Sequence, residues 1–143
     1  MKIGLIHSLD FSNEAIEIKK RLEQKGHIVS QCYSVTKIRD GKFSVQEVLD
    51  LKRSGNFSEY TISKDLIRWN WERMKKDDVI LVINPTKNGI KDYIGGNTFL
   101  EMGFAHVLDK KIYLWNDIPD MSYTDEIRAM EPVVIHQNID LLE

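Results

Sequence analysis

The residues of this chain best suited to chemistry lie in a polar loop between an apolar segment and a helix. The loop follows Val79–Ile83 and leads into the segment that contains Glu101. In an open parallel sheet such a loop lies beyond the carboxyl ends of the strands, where ligands bind. Gly89, Gly95 and Gly96 permit positive φ angles or a close approach of the backbone to a ligand. We therefore predict that this loop forms one wall of the functional site.

Glu101 is the side chain of this region that could react. The sequence predicts that it lies in the first turn of a helix, where free backbone N–H groups favour a nearby anion. A carboxylate held there is suited to attack an electrophilic carbon or to stabilise a sugar cation. A second interpretation needs no chemistry, because Thr98 and Glu101 have the spacing of a capping box. The sequence leaves both interpretations open.

Other polar and aromatic residues are predicted to line the same site. His7 and Ser8 end the first strand at the edge that faces the loop, and Asp10 and Phe11 follow them. His7 and Ser8 could equally be bonded locally, and paired loop lysines could be simply solvated. The loop adds candidates for contacts with a sugar, base or phosphate, namely Asn84, Lys87, Asn88, Tyr93, Gly95, Gly96, Asn97 and Thr98.

Composition narrows the function classes. The formal net charge of −2 gives no basic field that would attract a nucleic-acid polymer, and no dense Lys/Arg block indicates a membrane surface. No apolar run reaches membrane-spanning length, so we expect a cytoplasmic protein. A single cysteine, Cys32, excludes an internal disulfide, and the histidines lack metal-ligand spacing. No Walker A or dinucleotide motif occurs, and we expect neither a metal nor an organic cofactor.

Strand and helix signals alternate along the 143 residues, which predicts one domain over 1–143. Strands are predicted at 2–7, 28–33, 79–83, 112–115 and 133–135. The intervening helices include a capping-box helix after Ser44 and a long one from Ser58 to Lys76. Gly103 is predicted to let the helix after the loop pack tightly on the sheet. The pattern favours an α/β three-layer sandwich with a five-stranded parallel sheet, Rossmann-like, in the flavodoxin-like order 2-1-3-4-5.

The segments Asp78–Asn84, Thr98-x-x-Glu101-x-Gly103-x-Ala105 and Lys110–Leu114 together resemble the nucleoside 2-deoxyribosyltransferase superfamily. That superfamily includes the 2'-deoxynucleoside 5'-phosphate N-hydrolases. The resemblance implies that Glu101 is a nucleophile, which attacks C1' of a deoxyribosyl group and expels the base. Water or a second base would then resolve the glycosyl ester, as in a retaining glycosidase.

The chain departs from the family where general acid catalysis is concerned. The family commonly carries aspartates at the positions of Asn84 and Gly95. Asp92 lies in the same loop and could replace them as a second catalytic residue, or it is a solvated turn residue. Hydrolysis of an N-glycoside therefore becomes more favoured than base transfer. Binding without turnover, by a nucleotide sensor of the same fold, is the alternative.

The expected ligand is a small-molecule nucleoside or nucleotide, and the resemblance also implies a homodimer or higher homo-oligomer. Family members usually complete their sites across subunit contacts. Trp69 and Trp71 cannot share one helix face. We predict that Trp69 packs in the core, and that the helix around both residues forms the subunit interface.

Overall fold

A five-stranded, all-parallel sheet forms the centre of the protein, as a computed structural model of residues 1–143 describes it. The strand order is β2-β1-β3-β4-β5, which confirms the predicted flavodoxin-like α/β fold. The strands are β1 (Lys2–His7), β2 (Ile28–Ser30), β3 (Val79–Ile83), β4 (Lys111–Leu114) and β5 (Val133–Val134).

Seven α-helices connect and cover the strands. They are α1 (Ser12–Gln24), α2 (Tyr33–Arg39), α3 (Val45–Arg53), α4 (Phe57–Ser63), α5 (Leu66–Met74), α6 (Gly96–Val107) and α7 (Thr124–Ala129). Short 3-10 helices occupy Leu9–Phe11 and Ile139–Leu141. None of the helices combines the length and the apolar character that crossing a bilayer requires.

The sheet has an apolar core on each face. One core includes Ile18 and Leu22 of α1, and the other includes Met74 of α5, Met102 of α6 and Ile127 of α7. Strand β3 is buried along its whole length, as expected of a central parallel strand. Strands β1 and β3 are neighbours, and their register places the two carboxyl ends side by side. The crevice beyond those ends is where a ligand site is expected in this topology.

Two predicted elements differ from the structure. The strand predicted at 28–33 pairs with β1 only as far as Ser30, because the chain then turns away to bury Val35 of α2 in a small core with Leu9 and Val48. The long helix predicted from Ser58 to Lys76 is two helices, since Asp65 between α4 and α5 has a φ of 47°. Helix α1 is instead the longest.

A buried polar cluster packs against β1 at Gly4, where the strand has no side chain. Asp77 accepts hydrogen bonds from Ser30, at 2.8 Å, and from the Nη1 of Arg73, at 3.4 Å. A Cβ atom on Gly4 would come within 2.4 Å of the Asp77 carboxylate and 2.7 Å of Ile80. The glycine therefore makes room for the cluster. Gly103 has no such role, because a Cβ atom there would meet nothing within 4 Å, so the predicted tight packing at Gly103 is wrong.

We expect Gly4→Ala to destabilise the protein and Gly103→Ala not to destabilise it. Gly4→Ala should lower the free energy of unfolding by about 1–3 kcal/mol, because Asp77 can move away only by disturbing its hydrogen bonds. Gly103→Ala should leave stability unchanged or raise it by up to about 1 kcal/mol, since alanine is the better helix former. Urea denaturation of both variants measures this, and equal effects would contradict the packing described for Gly4.

Candidate active site

Two adjoining pockets open at the carboxyl end of β1. The first is largely apolar, and its wall consists of His7, Leu9, Cys32, Tyr33, Ser34, Phe57, Thr61, Leu66, Ile67, Asn70, Asn97, Leu100, Glu101 and Phe104. The second is largely polar, and its wall consists of His7, Ser8, Leu9, Lys52, Tyr93, Gly95, Gly96, Asn97 and Thr98. Because His7, Leu9 and Asn97 belong to both walls, the pockets meet at the end of β1.

Glu101 lies on the wall of the first pocket, in the second turn of α6. The helix begins at Gly96 and has no acidic residue in its first turn, so the predicted place of Glu101 in that turn is wrong. The capping-box interpretation is wrong as well. Gly95 is the residue that precedes the helix, and the hydroxyl of Thr98 is buried without any hydrogen-bond partner. Glu101 is thus buried in a pocket wall without serving as a helix cap.

The carboxyl group of Glu101 is poised to change its charge near neutral pH. Burial raises its pKa to about 7, and the positive charge of Arg73 acts in the opposite direction. A substantial fraction of the protein therefore carries an ionised, poorly solvated carboxylate at neutral pH. Such a group reacts with or binds an electron-poor centre more readily than a fully hydrated one.

His7 presents an uncharged ring to the junction of the pockets. Its Nδ1 lies 2.8 Å from the carbonyl oxygen of Ser8, which can only accept a hydrogen bond, so Nδ1 carries the proton. Burial lowers the pKa of the ring to about 4. The Nε2 atom therefore holds a free lone pair, and it is buried without a partner.

The second pocket combines features that suit an anion. Its wall includes the backbone of Gly95, Gly96 and Asn97 at the start of α6, where N–H groups point away from the helix. The Thr98 hydroxyl, 2% exposed as a residue and without a partner, lies in the same wall. Lys52 adds a positive charge from α3. The pocket therefore offers backbone N–H groups and an ammonium group.

Asp10 and Lys87 lie beside the second pocket rather than in its wall. Asp10 accepts hydrogen bonds from Lys87, at 2.5 Å, from Ser8, at 2.9 Å, and from Lys52, at 3.3 Å. Burial tends to raise the pKa of Asp10, but these partners outweigh it and hold the pKa well below its usual range. Lys87 also lies 5.0 Å from the ring centre of Tyr93. Asp10 thus holds both Lys52 and Lys87 in position.

Several predicted site residues are brought together, and others are not. Those in the pocket walls are Glu101, His7, Ser8, Tyr93, Gly95, Gly96, Asn97 and Thr98. Phe11 packs edge-on against Tyr93, with ring centres 6.5 Å apart, and supports the wall from behind. Asn88 is exposed in a turn, at a φ of 50°, and lines neither pocket.

Asn84 has a structural role at the end of β3 and lines neither pocket. It is fully buried, and its Nδ2 donates hydrogen bonds to the carbonyl oxygens of Asp92, at 3.2 Å, and Asp117, at 2.9 Å. Its Oδ1 accepts a hydrogen bond from the backbone N–H of Asn116 at 2.9 Å. The amide therefore joins the loops that follow β3 and β4. Every one of these bonds uses the side chain internally, which leaves none for a substrate.

Asp92 also lies outside both pocket walls, at a φ of 56°. Burial raises the pKa of its carboxyl group, and the nearby charge of Asp117 acts in the same direction. Its backbone carbonyl holds Asn84 in place. The structure thus separates Asp92 from Glu101, and the two carboxyl groups do not face one another across either pocket.

The outer wall of the first pocket was not predicted. It comes from the segment between β2 and β3 and includes Tyr33 of α2, Phe57 of α4, and Leu66 and Asn70 of α5. Trp69 does not pack in the core as predicted. It is 36% exposed and packs edge-on against Tyr33, with ring centres 5.6 Å apart.

Arg73 is a second feature that sequence reasoning missed. Its side chain is buried on α5, one turn beyond Asn70, and its Nη1 donates a hydrogen bond to the hydroxyl of Ser30 at 2.7 Å. The Nε and Nη2 groups are buried without partners. The positive charge of Arg73 opposes the effect of burial on the pKa of both Asp77 and Glu101. One guanidinium group therefore favours the ionised form of two carboxyl groups.

No group of three or more His, Cys, Asp or Glu side chains is arranged to hold a metal ion. The lone thiol, Cys32, lies in the wall of the first pocket, where burial raises its pKa to about 11. It is therefore protonated at neutral pH and is a weak nucleophile. Of the residues that line the two pockets, Glu101 alone carries a carboxyl group.

No protein-family model matches the chain, and no curated protein matches it in sequence. Among solved structures, it is similar to a CMP N-glycosidase, BcmB, from Clostridium botulinum. The superposition has a TM-score of 0.50 at 16% sequence identity and covers 94% of this chain and 85% of that one. At this identity the similarity supports the fold.

We expect the burial of Glu101 to make stability depend on pH. Its pKa is about 7 in the folded protein and 4.5 when the group is exposed, so the folded state binds more protons between these values. Stability should therefore fall as pH rises from about 4.5 to about 7. Glu101→Gln removes this loss of stability. Above about pH 7.5 its free energy of unfolding should exceed that of the wild type by up to about 3 kcal/mol.

Denaturant titrations at several pH values measure this difference. Glu126→Gln, in the exposed first turn of α7, is the matched control and should follow the wild-type pH dependence. A Glu101→Gln variant that shows no gain at high pH relative to low pH would contradict the raised pKa.

Proposed function

We propose that the protein cleaves the N-glycosidic bond of a nucleoside 5'-monophosphate or nucleoside, with Glu101 as the nucleophile. The observation that carries this proposal is a buried carboxyl group of raised pKa in the wall of an apolar pocket that adjoins a polar one. The similarity in fold to a CMP N-glycosidase and the sequence resemblance around Glu101 both agree with it.

In this proposal the nucleotide spans both pockets. The base occupies the apolar pocket, among aromatic residues such as Tyr33 and Phe104. The sugar lies near the junction, with C1' toward Glu101 and a hydroxyl group beside His7. A 5'-phosphate accepts hydrogen bonds from the backbone at the start of α6, with Lys52 on the same wall.

The reaction proceeds in two steps. The ionised carboxylate of Glu101 forms a bond to C1' while the bond from C1' to the base nitrogen breaks, and the base takes up a proton from solvent. Water then attacks C1' of the glycosyl ester, which releases the sugar phosphate, regenerates Glu101 and retains the configuration. A second base in place of water would give transfer. The first step requires the ionised form, so the rate should rise with pH through about 7.

A sensor that binds a nucleotide without cleaving it is the second candidate. It is favoured by the lack of any carboxyl group other than Glu101 in the two pocket walls, which leaves no carboxylic acid to protonate the departing base. Ligand binding would then stabilise the protein without releasing base.

Chromatographic detection of free base distinguishes these candidates. We expect wild-type protein to release base from at least one member of a panel of deoxy- and ribonucleosides and their 5'-monophosphates. Glu101→Gln, which keeps the shape of the side chain and removes its charge, should reduce the rate on the order of 10³-fold or more. The exposed Glu126→Gln variant should retain wild-type activity.

Unchanged base release by Glu101→Gln would overturn the assignment of the nucleophile. A thermal shift by one panel member, with no base released from any, would establish the sensor instead.

We also propose a homo-oligomer, with the exposed apolar residues of α5 and α6 in the interface. Leu100 and Ile67 are 42% and 51% exposed beside the first pocket, and Val107 at the end of α6 is 77% exposed. A neighbouring apolar surface would cover them. Light scattering after size exclusion should give a mass of at least two chains, and Val107→Glu should lower it. A monomeric wild-type mass would exclude this proposal.

A further inference from the structure

Helix α6 presents one continuous face to the apolar pocket. The residues of this helix in the pocket wall have the spacing of a single helix face, and they are Asn97, Leu100, Glu101 and Phe104. Asn97 begins the row one turn before Glu101, and it also belongs to the wall of the polar pocket. Asn97 therefore lies between the Glu101 carboxyl group and the polar pocket.

Asn97 is both close to Glu101 and accessible to a ligand. Four residues of α-helix span about 6 Å along the axis, and helical side chains lean toward the amino-terminal end. The Glu101 side chain therefore leans toward the turn that carries Asn97. Asn97 is exposed, whereas the amide of Asn84 is buried and bonded internally. A ligand that contacts Glu101 can thus reach the amide of Asn97.

The stereochemistry of a nucleotide decides which of its groups would meet this helix face. The base and C5' project from one face of the furanose ring, and the hydroxyl groups on C2' and C3' of a ribonucleotide project from the other. A nucleophile that displaces the base attacks C1' from the hydroxyl face. Glu101 and Asn97 share one face of α6, so both would approach the hydroxyl face of the sugar.

We propose that Asn97 binds the 3'-hydroxyl of the sugar and thereby holds C1' against Glu101. C2' is bonded to C1', so a 2'-hydroxyl lies on the side of Glu101. C3' is bonded to C4', which carries C5' and the phosphate, so the 3'-hydroxyl lies on the side of the polar pocket, as Asn97 does. A hydroxyl both donates and accepts, so either end of the amide can bond to it. This inference rests on the proposed function, which assigns C1' to Glu101 and the phosphate to the polar pocket.

Nucleotides that differ only in their sugar hydroxyls test the inference. The set is CMP and AMP with their 2'-deoxy, 3'-deoxy and 2',3'-dideoxy forms, so that each hydroxyl is removed while the other is fixed. Asn97→Ala should reduce the ratio of kcat/KM between 3'-hydroxyl and 3'-deoxy substrates by about 3- to 15-fold, as expected for one lost hydrogen bond. The ratio between 2'-hydroxyl and 2'-deoxy substrates should stay at its wild-type value.

Asn13→Ala is the matched control for this substitution. Asn13 is exposed in the first turn of α1, as Asn97 is in the first turn of α6, and it lines neither pocket. The control should leave both ratios unchanged. Differences in the intrinsic reactivity of the sugars cancel, because the same ratio is compared between proteins.

Binding measured separately from turnover keeps the outcomes distinct. Calorimetric titration of the same nucleotides into Glu101→Gln, and into Glu101→Gln combined with Asn97→Ala, should show the same loss of preference for the 3'-hydroxyl. An unchanged 3'-hydroxyl ratio in Asn97→Ala, or a change confined to the 2'-hydroxyl ratio, would overturn the inference. Failure of every nucleotide to bind or react would instead overturn the proposed function.

Discussion

The buried cluster of Arg73, Asp77 and Ser30 is the interaction on which the candidate site depends. It joins α5 to the ends of β2 and β3, and it occupies the space that Gly4 leaves open on β1. Helix α5 is the element that brings Asn70 to the pocket. Removing one member of a buried charged group leaves its partner unpaired, which costs far more than the pair contributes. The position of the pocket wall is therefore tied to a cluster behind it.

The same cluster links the fold to the electrostatics of the site. Arg73 has more hydrogen-bonding groups than Asp77 and Ser30 use, and its charge also acts on Glu101 and His7. Burial favours the uncharged form of both Glu101 and His7. The arrangement keeps the pKa of the Glu101 carboxyl group near neutral pH and the His7 ring uncharged, in one cleft. Neither residue would behave in this way on an exposed loop.

Asn84 shows how a chemically suggestive position can have a purely structural role. Its amide joins the loops after β3 and β4, with three hydrogen bonds to backbone groups. An aspartate could accept from Asn116 but could not donate to the two carbonyl oxygens. The asparagine thus fits the loop geometry of this chain, and the carboxyl group expected from the family resemblance would be poorly accommodated here.

The predicted sheet order is confirmed, because the strands are readable as local apolar runs and the order is the common one for this class of fold. The apolar run of β3 and the capping box of Ser44 and Glu47 are each readable over a few residues, and both are confirmed. The outer wall was missed because it depends on tertiary packing. Nothing in the local pattern at Asp65 predicts its left-handed conformation, which ends one helix and starts the next. Without that break, Phe57 and Asn70 could not be assigned to one pocket.

Helix α4, which precedes this break, is a part of the pocket wall that is not buried in the core. Helix α4 contributes Phe57 and Thr61 to the pocket wall, yet none of its seven residues is buried. An element that buries so little loses little when it detaches, so its local opening requires much less free energy than global unfolding. Local opening of α4 would therefore widen the apolar pocket on its outer side. The sheet and α6 would keep their positions, because both are anchored in the cores.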